Sequence, residues 1–288
     1  DPFSKVVLSI NRNGSTVVTT YGAQTDGAGN WKINFGVDLP RTGVLSQLSD
    51  ATYDLSAVSY NLAGTASAGI AIKALVVDLL APITPDFTSP AFSRLNSPII
   101  TGTGDAGTYL HLRMGGIDFP VVQITNPGGT WSVNTSPSTF PVGIYEVTIY
   151  GTDDAGNQTT SRKQYLQIDT VAPGNPLITS PDKTKDTTPV IFGTSEPDAE
   201  LTVVLTDSNN VNALIGTYVV ISNSTGFWTL DTQTLIPQGA RNPISPLTTS
   251  LIGVSATAKD RAGNVSGATS QALAIDANAP DAPVFTSP

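Results

Sequence analysis

The sequence predicts an all-β chain made of β-sandwich modules in tandem. Three observations carry this: a set of short signals that recurs in order, apolar–polar alternation of period two between them, and frequent chain breakers. With 26 Gly and 21 Pro in 288 residues, few uninterrupted windows are long enough for a helix.

The recurrence comes first, because ordered repeats define an array. One signal is Asp-x-x-x-Pro followed by Thr-Ser-Pro. It occurs as Asp78 to Pro82 with Thr88-Ser89-Pro90, as Asp169 to Pro173 with Thr179-Ser180-Pro181, and as Asp276 to Pro280 with Thr286-Ser287-Pro288. The spacings are 91 residues (78 to 169) and 107 residues (169 to 276). A second signal, Gly-x-Trp, takes up all three tryptophans, at Trp31, Trp131 and Trp228. A third, Asp-x-Ala-Gly-Asn, stands at 153–157 and 260–264, with a decayed copy, Asn61-Leu62-Ala63-Gly64-Thr65. The signals set modules at 1–78, 79–169 and 170–276, with 277–288 opening the next. The third module is longer, chiefly through an added Pro-rich loop at 237–246.

Between the signals lie short runs rich in Val, Ile, Thr and Tyr and bounded by turn residues, which read as strands. In the middle module these are strand A near 85–88, B at 98–103, C at 109–114, middle strands from 121–124 to 131–133, F at 145–152 and G at 161–168. Further strands are read at 201–205 and 251–258. Seven or so short strands per module is the immunoglobulin-like pattern, so the expected architecture is an elongated array of such sandwiches. The run from Asp1 to Leu8 aligns with Glu196 to Val203. The first module therefore starts at the loop after strand B and lacks strands A and B, while 281–288 is a strand A without its module. The chain reads as an excerpt of a longer array, or as one whose missing strands are supplied by β-addition.

Composition excludes several function classes. The net charge of −9, with 14 basic residues scattered along the chain, offers no basic field for nucleic acid or an anionic lipid surface. No apolar run is long enough for a membrane span. Cysteine is absent, so there is no disulfide, thiolate metal site or cysteine nucleophile. A cysteine-free, low-charge β chain points to a bacterial exterior. Charged residues are 13%, so Thr, Ser, Asn and Gln must supply the polar surface. His111, the single histidine, lies in a predicted strand and supports neither a catalytic triad nor a zinc pair. The stretch Gly102 to Gly107 matches a dinucleotide fingerprint weakly, but it leads into a strand where that mechanism needs a helix. The tryptophans read as packing residues after a Gly turn, with sugar stacking as the alternative. No enzyme is expected.

The acidic residues form the candidate site. In a seven-stranded sandwich the linker enters at the pole carrying the B–C and F–G loops. That pole brings together Asp169, Glu196, Asp198 and Asp260 at one junction, and Asp78, Asp105, Asp153 and Asp154 at the other. Such clusters repel unless compensated, and calcium accepts six to eight oxygens in flexible geometry. The alternative is that these acids cap turns through their own backbone.

The run Asp-x-Ala-Gly-Asn, a strand, then Asp169-Thr170-Val171-Ala172-Pro173 and the stretch from Gly193 to Val203 resembles the bacterial Ig-like tandem repeats of large surface adhesins and biofilm-associated proteins. The resemblance covers nearly the whole chain and is strongest from 78 to 288. It implies a sandwich fold, display on the bacterial cell surface and calcium at module junctions. The expected function is a structural stalk or spacer supporting adhesion or biofilm formation. Its partners are neighbouring modules of the same chain, with any host, abiotic-surface or matrix ligand bound elsewhere. The alternatives are a carbohydrate- or surface-binding module, and accessory domains of a secreted enzyme.

Overall fold

The computed structural model describes residues 1–16, 18–43, 47–210, 213–238, 246–247 and 250–284. Among these residues every regular element is a strand, and no helix is long and apolar enough to cross a membrane. The first stretch holds β1 (Lys5–Arg12), β2 (Val18–Gln24), β3 (Ala51–Tyr60) and β4 (Ile70–Val77). They form one antiparallel sheet in the order β2-β1-β3-β4.

The middle stretch holds β5 (Asp86–Phe87), β6 (Phe92–Ser93), β7 (Ile99–Thr103), β8 (Tyr109–Met114), β9 (Ile117–Asp118), β10 (Val122–Gln123), β11 (Thr130–Asn134), β12 (Gly143–Thr152) and β13 (Arg162–Ile168). They build two sheets, β11-β7-β5 and β10-β8-β12-β13-β6, with β9 on β8. The last stretch holds β14 (Leu177–Ile178), β15 (Lys183–Thr184), β16 (Val190–Thr194), β17 (Glu200–Asp207), β18 (Ala213–Ile221), β19 (Phe227–Asp231), β20 (Ser250–Lys259) and β21 (Thr269–Ile275). Its sheets are β14-β16-β19 and β15-β21-β20-β17-β18.

The alternation read from the sequence is the burial pattern. In β8, Leu110, Leu112 and Met114 are buried. They join Ile100, Trp131, Val133, Ile149 and Leu166 in one cluster drawn from both sheets. The last stretch has its own cluster around Leu201, Val203, Trp228 and Leu230. Strand C coincides with β8, and strand G begins one residue late, at Arg162. Strand A differs from expectation because it is split. Its first half, β5, pairs with β7, and its second half, β6, pairs in parallel with β13. Thr88-Ser89-Pro90 is the crossing point. Both Thr88 and Ser89 donate their N–H to the Thr101 carbonyl, at 2.9 and 3.2 Å, and Pro90 donates none. Thr179 and Ser180 repeat this on Phe192, at 2.9 and 3.1 Å. The third copy, Thr286-Ser287-Pro288, lies outside the described residues, as do residues 239–245 of the Pro-rich loop.

Trp131 and Trp228 are core residues, 4% and 1% exposed. Each is paired across the ladder with a glycine, Gly102 or Gly193. Any Cβ on Gly102 would run into the Trp131 ring and the Asp86 carbonyl. The glycine is there to leave the ring its space. His111 stacks on Tyr150 at 4.4 Å, with Nε2 3.2 Å from the Thr152 hydroxyl, which is a structural role. Gly102→Val should therefore lower the stability of the middle unit by about 3 kcal/mol, at the upper end of overpacking costs. Calorimetry should show one transition moving down while the others stay in place.

Candidate functional site

The places where one unit meets the next carry the recurring polar residues. The Asp-x-Ala-Gly-Asn signal folds into a five-residue turn. Asp153 Oδ1 accepts from the Asn157 N–H at 2.9 Å, the Asp153 N–H donates to the Asn157 carbonyl at 3.2 Å, and Gly156 takes φ 90°. A positive φ is what a glycine tolerates without strain. Asp260, Gly263 and Asn264 reproduce the turn, with the side-chain bond at 2.9 Å and φ 91°. Two residues on, a hydroxyl closes each turn: Thr159 accepts from the Gly151 N–H and Ser266 from the Ala258 N–H, at 3.0 and 2.9 Å.

The asparagine at the end of the turn has a second task. Asn157 Nδ2 donates to Asp153 Oδ2 at 2.9 Å and to the main-chain carbonyl of Asp78, in the linker, at 2.9 Å. Asn264 Nδ2 donates to Asp260 Oδ2 at 2.8 Å and to the Asp169 carbonyl at 2.7 Å. One side chain thus closes its own turn and grips the preceding linker. The decayed copy keeps the turn, with Thr65 N–H to Asn61 Oδ1 at 2.9 Å and Gly64 at φ 82°. Its final residue is Thr65, which has no amide to make the grip.

The other predicted acids also have identified partners. Asp78 Oδ1 accepts from the Leu80 N–H at 3.1 Å, and Asp169 Oδ1 from the Val171 N–H at 3.0 Å. Asp105 Oδ2 accepts from the Ile83 N–H of the linker at 2.9 Å. Asp154 Oδ1 accepts the Tyr109 hydroxyl proton at 2.8 Å, and this bond holds the phenol above its usual range. Asp198 pairs with Arg261 at 3.0 Å, and that guanidinium lies 5.8 Å over the Phe92 ring of the preceding unit. Asp169, Glu196, Asp198 and Asp260 line one cavity of about 190 Å³, together with Phe92 and Gln167. The four first-junction acids bond to separate partners. Among the described residues no group of three or more His, Cys, Asp or Glu stands at metal-holding spacing. Hydrogen bonds to their own or linker backbone are what Asp78, Asp105, Asp153, Asp169 and Asp260 show.

The sequence reading missed that the Gly-x-Trp signal is the same turn. Asp26 Oδ1 accepts from the Asn30 N–H, Asn126 Oδ1 from the Thr130 N–H and Asn223 Oδ1 from the Phe227 N–H, each at 2.9 Å. Gly29, Gly129 and Gly226 take φ 87°, 65° and 81°. The signal was present, since Asp26-Gly27-Ala28-Gly29-Asn30 spells the full motif. The clasping asparagine side chain was also missed.

No known family model matches the chain, and no curated protein matches its sequence. Among solved structures it is similar to a tetra-tandem repeat in the extending region of a large adhesion protein, at 20% identity and TM-score 0.31, covering 96% of this chain and 68% of that one. It is also similar to fibronectin(III)-like modules of Clostridium thermocellum CbhA, at 11% identity and TM-score 0.43, covering 70% and 100%. A third is the BSP domain of a biofilm associated protein, at 15% identity and TM-score 0.25, covering 90% and 46%.

Asn264→Ala should cost about 1 kcal/mol per lost hydrogen bond, read as a lower melting temperature of the last unit. Asn264→Thr, which imitates the first copy, should keep the turn and lose only the grip on Asp169, read as faster hydrogen exchange in the linker. Acid should act on the first junction. The Asn157 amide, the largest cause, holds the Asp153 carboxyl below its ordinary value. A depressed carboxyl contributes stability above its unfolded pKa and loses it as pH falls through the folded one. The Asn157 amide signals should shift in NMR spectra below about pH 4, and Asp153→Asn should abolish that titration.

Proposed function

We propose that this chain is a spacer segment of a bacterial surface adhesin, exported and built to hold an adhesive region at a distance. The observation that carries this reading is the repeated junction: the same Asp–Asn turn grips the preceding linker at Asp78 and at Asp169. A repeated joint of identical chemistry serves an array in which each unit is set against the last, and it has no role in binding or catalysis at any one unit. Cysteine-free composition and the adhesin-like motifs support the extracellular assignment. Unit boundaries at 78/79, 169/170 and 276/277 belong to the same proposal, and the sheets fall between them.

Calcium at the second junction is a further part of the reading. Four carboxylates, Asp169, Glu196, Asp198 and Asp260, share one cavity with a single guanidinium, that of Arg261. A hard cation there would relieve their mutual repulsion. The fit is partial, because Asp198 is paired with Arg261 and both Asp260 oxygens accept from Asn264.

Small-angle scattering tests the spacer. Asn157→Thr with Asn264→Thr should broaden the distribution of interatomic distances relative to the parent chain, and an unchanged profile would sink the role given to the clasp. Calorimetry with calcium and with chelator tests the cation. Calcium at about 1 mM, the extracellular range, should raise the melting temperature of the last unit. Equal melting in both would leave the carboxylates as turn caps alone.

A further inference from the structure

The first unit has the C-side sheet of its neighbours and lacks their other sheet. Its order β2-β1-β3-β4 matches β18-β17-β20-β21. The loop before β1 is already in the form found after strand B elsewhere. Thr25 Oγ1 bridges the Ser4 N–H and the Asp1 carbonyl, both at 2.8 Å. Ser222 Oγ bridges the Ala199 N–H and the Glu196 carbonyl, at 2.9 and 2.6 Å. Phe3, Gly107 and Asp198, at the same place in their loops, all take positive φ, at 60°, 94° and 57°. The register between the three units is therefore fixed.

That register shows what is uncovered. Trp31, Ile33 and Phe35 occupy the positions of Trp131, Val133 and Thr135, and Ile33 and Phe35 pack against the Ile10, Tyr21 and Tyr53 cluster. Trp31 itself is 38% exposed, whereas its counterparts are buried by a glycine-bearing strand. Trp131 Nε1 donates to the Thr103 carbonyl on that strand at 3.0 Å. Gly104 N–H caps the Gly129 carbonyl at 2.7 Å, and Ser195 N–H caps that of Gly226 at 2.8 Å. Among the described residues no strand pairs with 31–34. A cavity of about 650 Å³ opens there, lined by Phe3, Gln24, Thr25, Asn30 and Trp31 among others.

We propose that this face binds an extended two-stranded polypeptide segment of the type formed by residues 86–103, seated with a glycine against Trp31. The two complete units display the occupant in place. Its requirements are a glycine opposite the tryptophan, an apolar residue two positions before it like Ile100 or Ile191, and a free N–H two positions after it for the Gly29 carbonyl. A preceding strand contributes an apolar residue against the ring, as Phe87 does at 6.1 Å from Trp131. The ligand is recognised by backbone pairing and by this spacing, independently of whether the array serves as a spacer.

The test adds a synthetic peptide of residues 83–104 to the full chain. Binding should reduce iodide quenching of tryptophan emission and slow hydrogen exchange at 31–34. The Trp31→Phe chain should lose the fluorescence change and keep the slowed exchange. A peptide carrying Gly102→Val should bind at least about tenfold more weakly, a difference of some 1.4 kcal/mol. No protection at about 1 mM peptide, weaker than any useful affinity, would overturn the proposal. So would equal binding by the Gly102→Val peptide, or protection of Trp31 by soluble oligosaccharides in its place.

Discussion

Both complete sandwiches depend on one contact, a tryptophan ring lying over a glycine on the neighbouring strand. Gly102 and Gly193 supply no side chain, and the rings of Trp131 and Trp228 fill the space between the sheets. Everything else is arranged to hold that ring in place. The Asx turn before each tryptophan fixes where its strand begins. The split first strand brings Phe87 to the ring on one side and lets β6 reach the opposite sheet on the other. Where the glycine strand is missing, as at Trp31, the segment from 31 to 35 has the right alternation and no ladder. Side-chain pattern alone does not make a strand; the partner's backbone must be present.

Polar stabilisation in this molecule is local and uncharged in the main. Ion pairs such as Arg113–Asp118, Lys163–Glu146 and Lys259–Glu200 are exposed at both ends, and such pairs contribute little. Carboxylates and amides instead close turns by accepting from backbone N–H groups four residues ahead. That use explains a sequence with few charges and many Asn, Thr and Ser. It also explains why acids gathered at a pole tolerate one another, since most already hold hydrogen-bond donors.

Much of the fold was legible from periodicity and turn residues. β8 was read to the residue because Leu110, Leu112 and Met114 alternate between two clear boundaries. β5 and β6 were merged because two-residue strands carry no period, and a sheet crossing is marked only by Pro90. The site was half legible. Asp153 and Asp260 stood out by recurrence, but the clasp ends on the carbonyls of Asp78 and Asp169, and every residue has a carbonyl. The identity of the two turns was missed because Asn126 and Asn223 replace Asp and their tryptophans draw the eye to the strand that follows.

The parallel pairing of the second half of strand A with the last strand has a mechanical consequence. In the middle unit Gln167 donates to Ala91 and Asp169 to Ser93, at 2.8 and 2.9 Å. In the last unit Ala274 donates to Asp182 and Asp276 to Thr184, at the same distances. Tension drawn through the chain pulls β6 and β13 in opposite directions along a common axis, so these bonds are loaded in shear. Bonds loaded that way must yield together, whereas a hairpin pulled from its ends opens one rung at a time. Each complete unit therefore places its short parallel ladder, with the sandwich core behind it, where a pull on the chain is first felt.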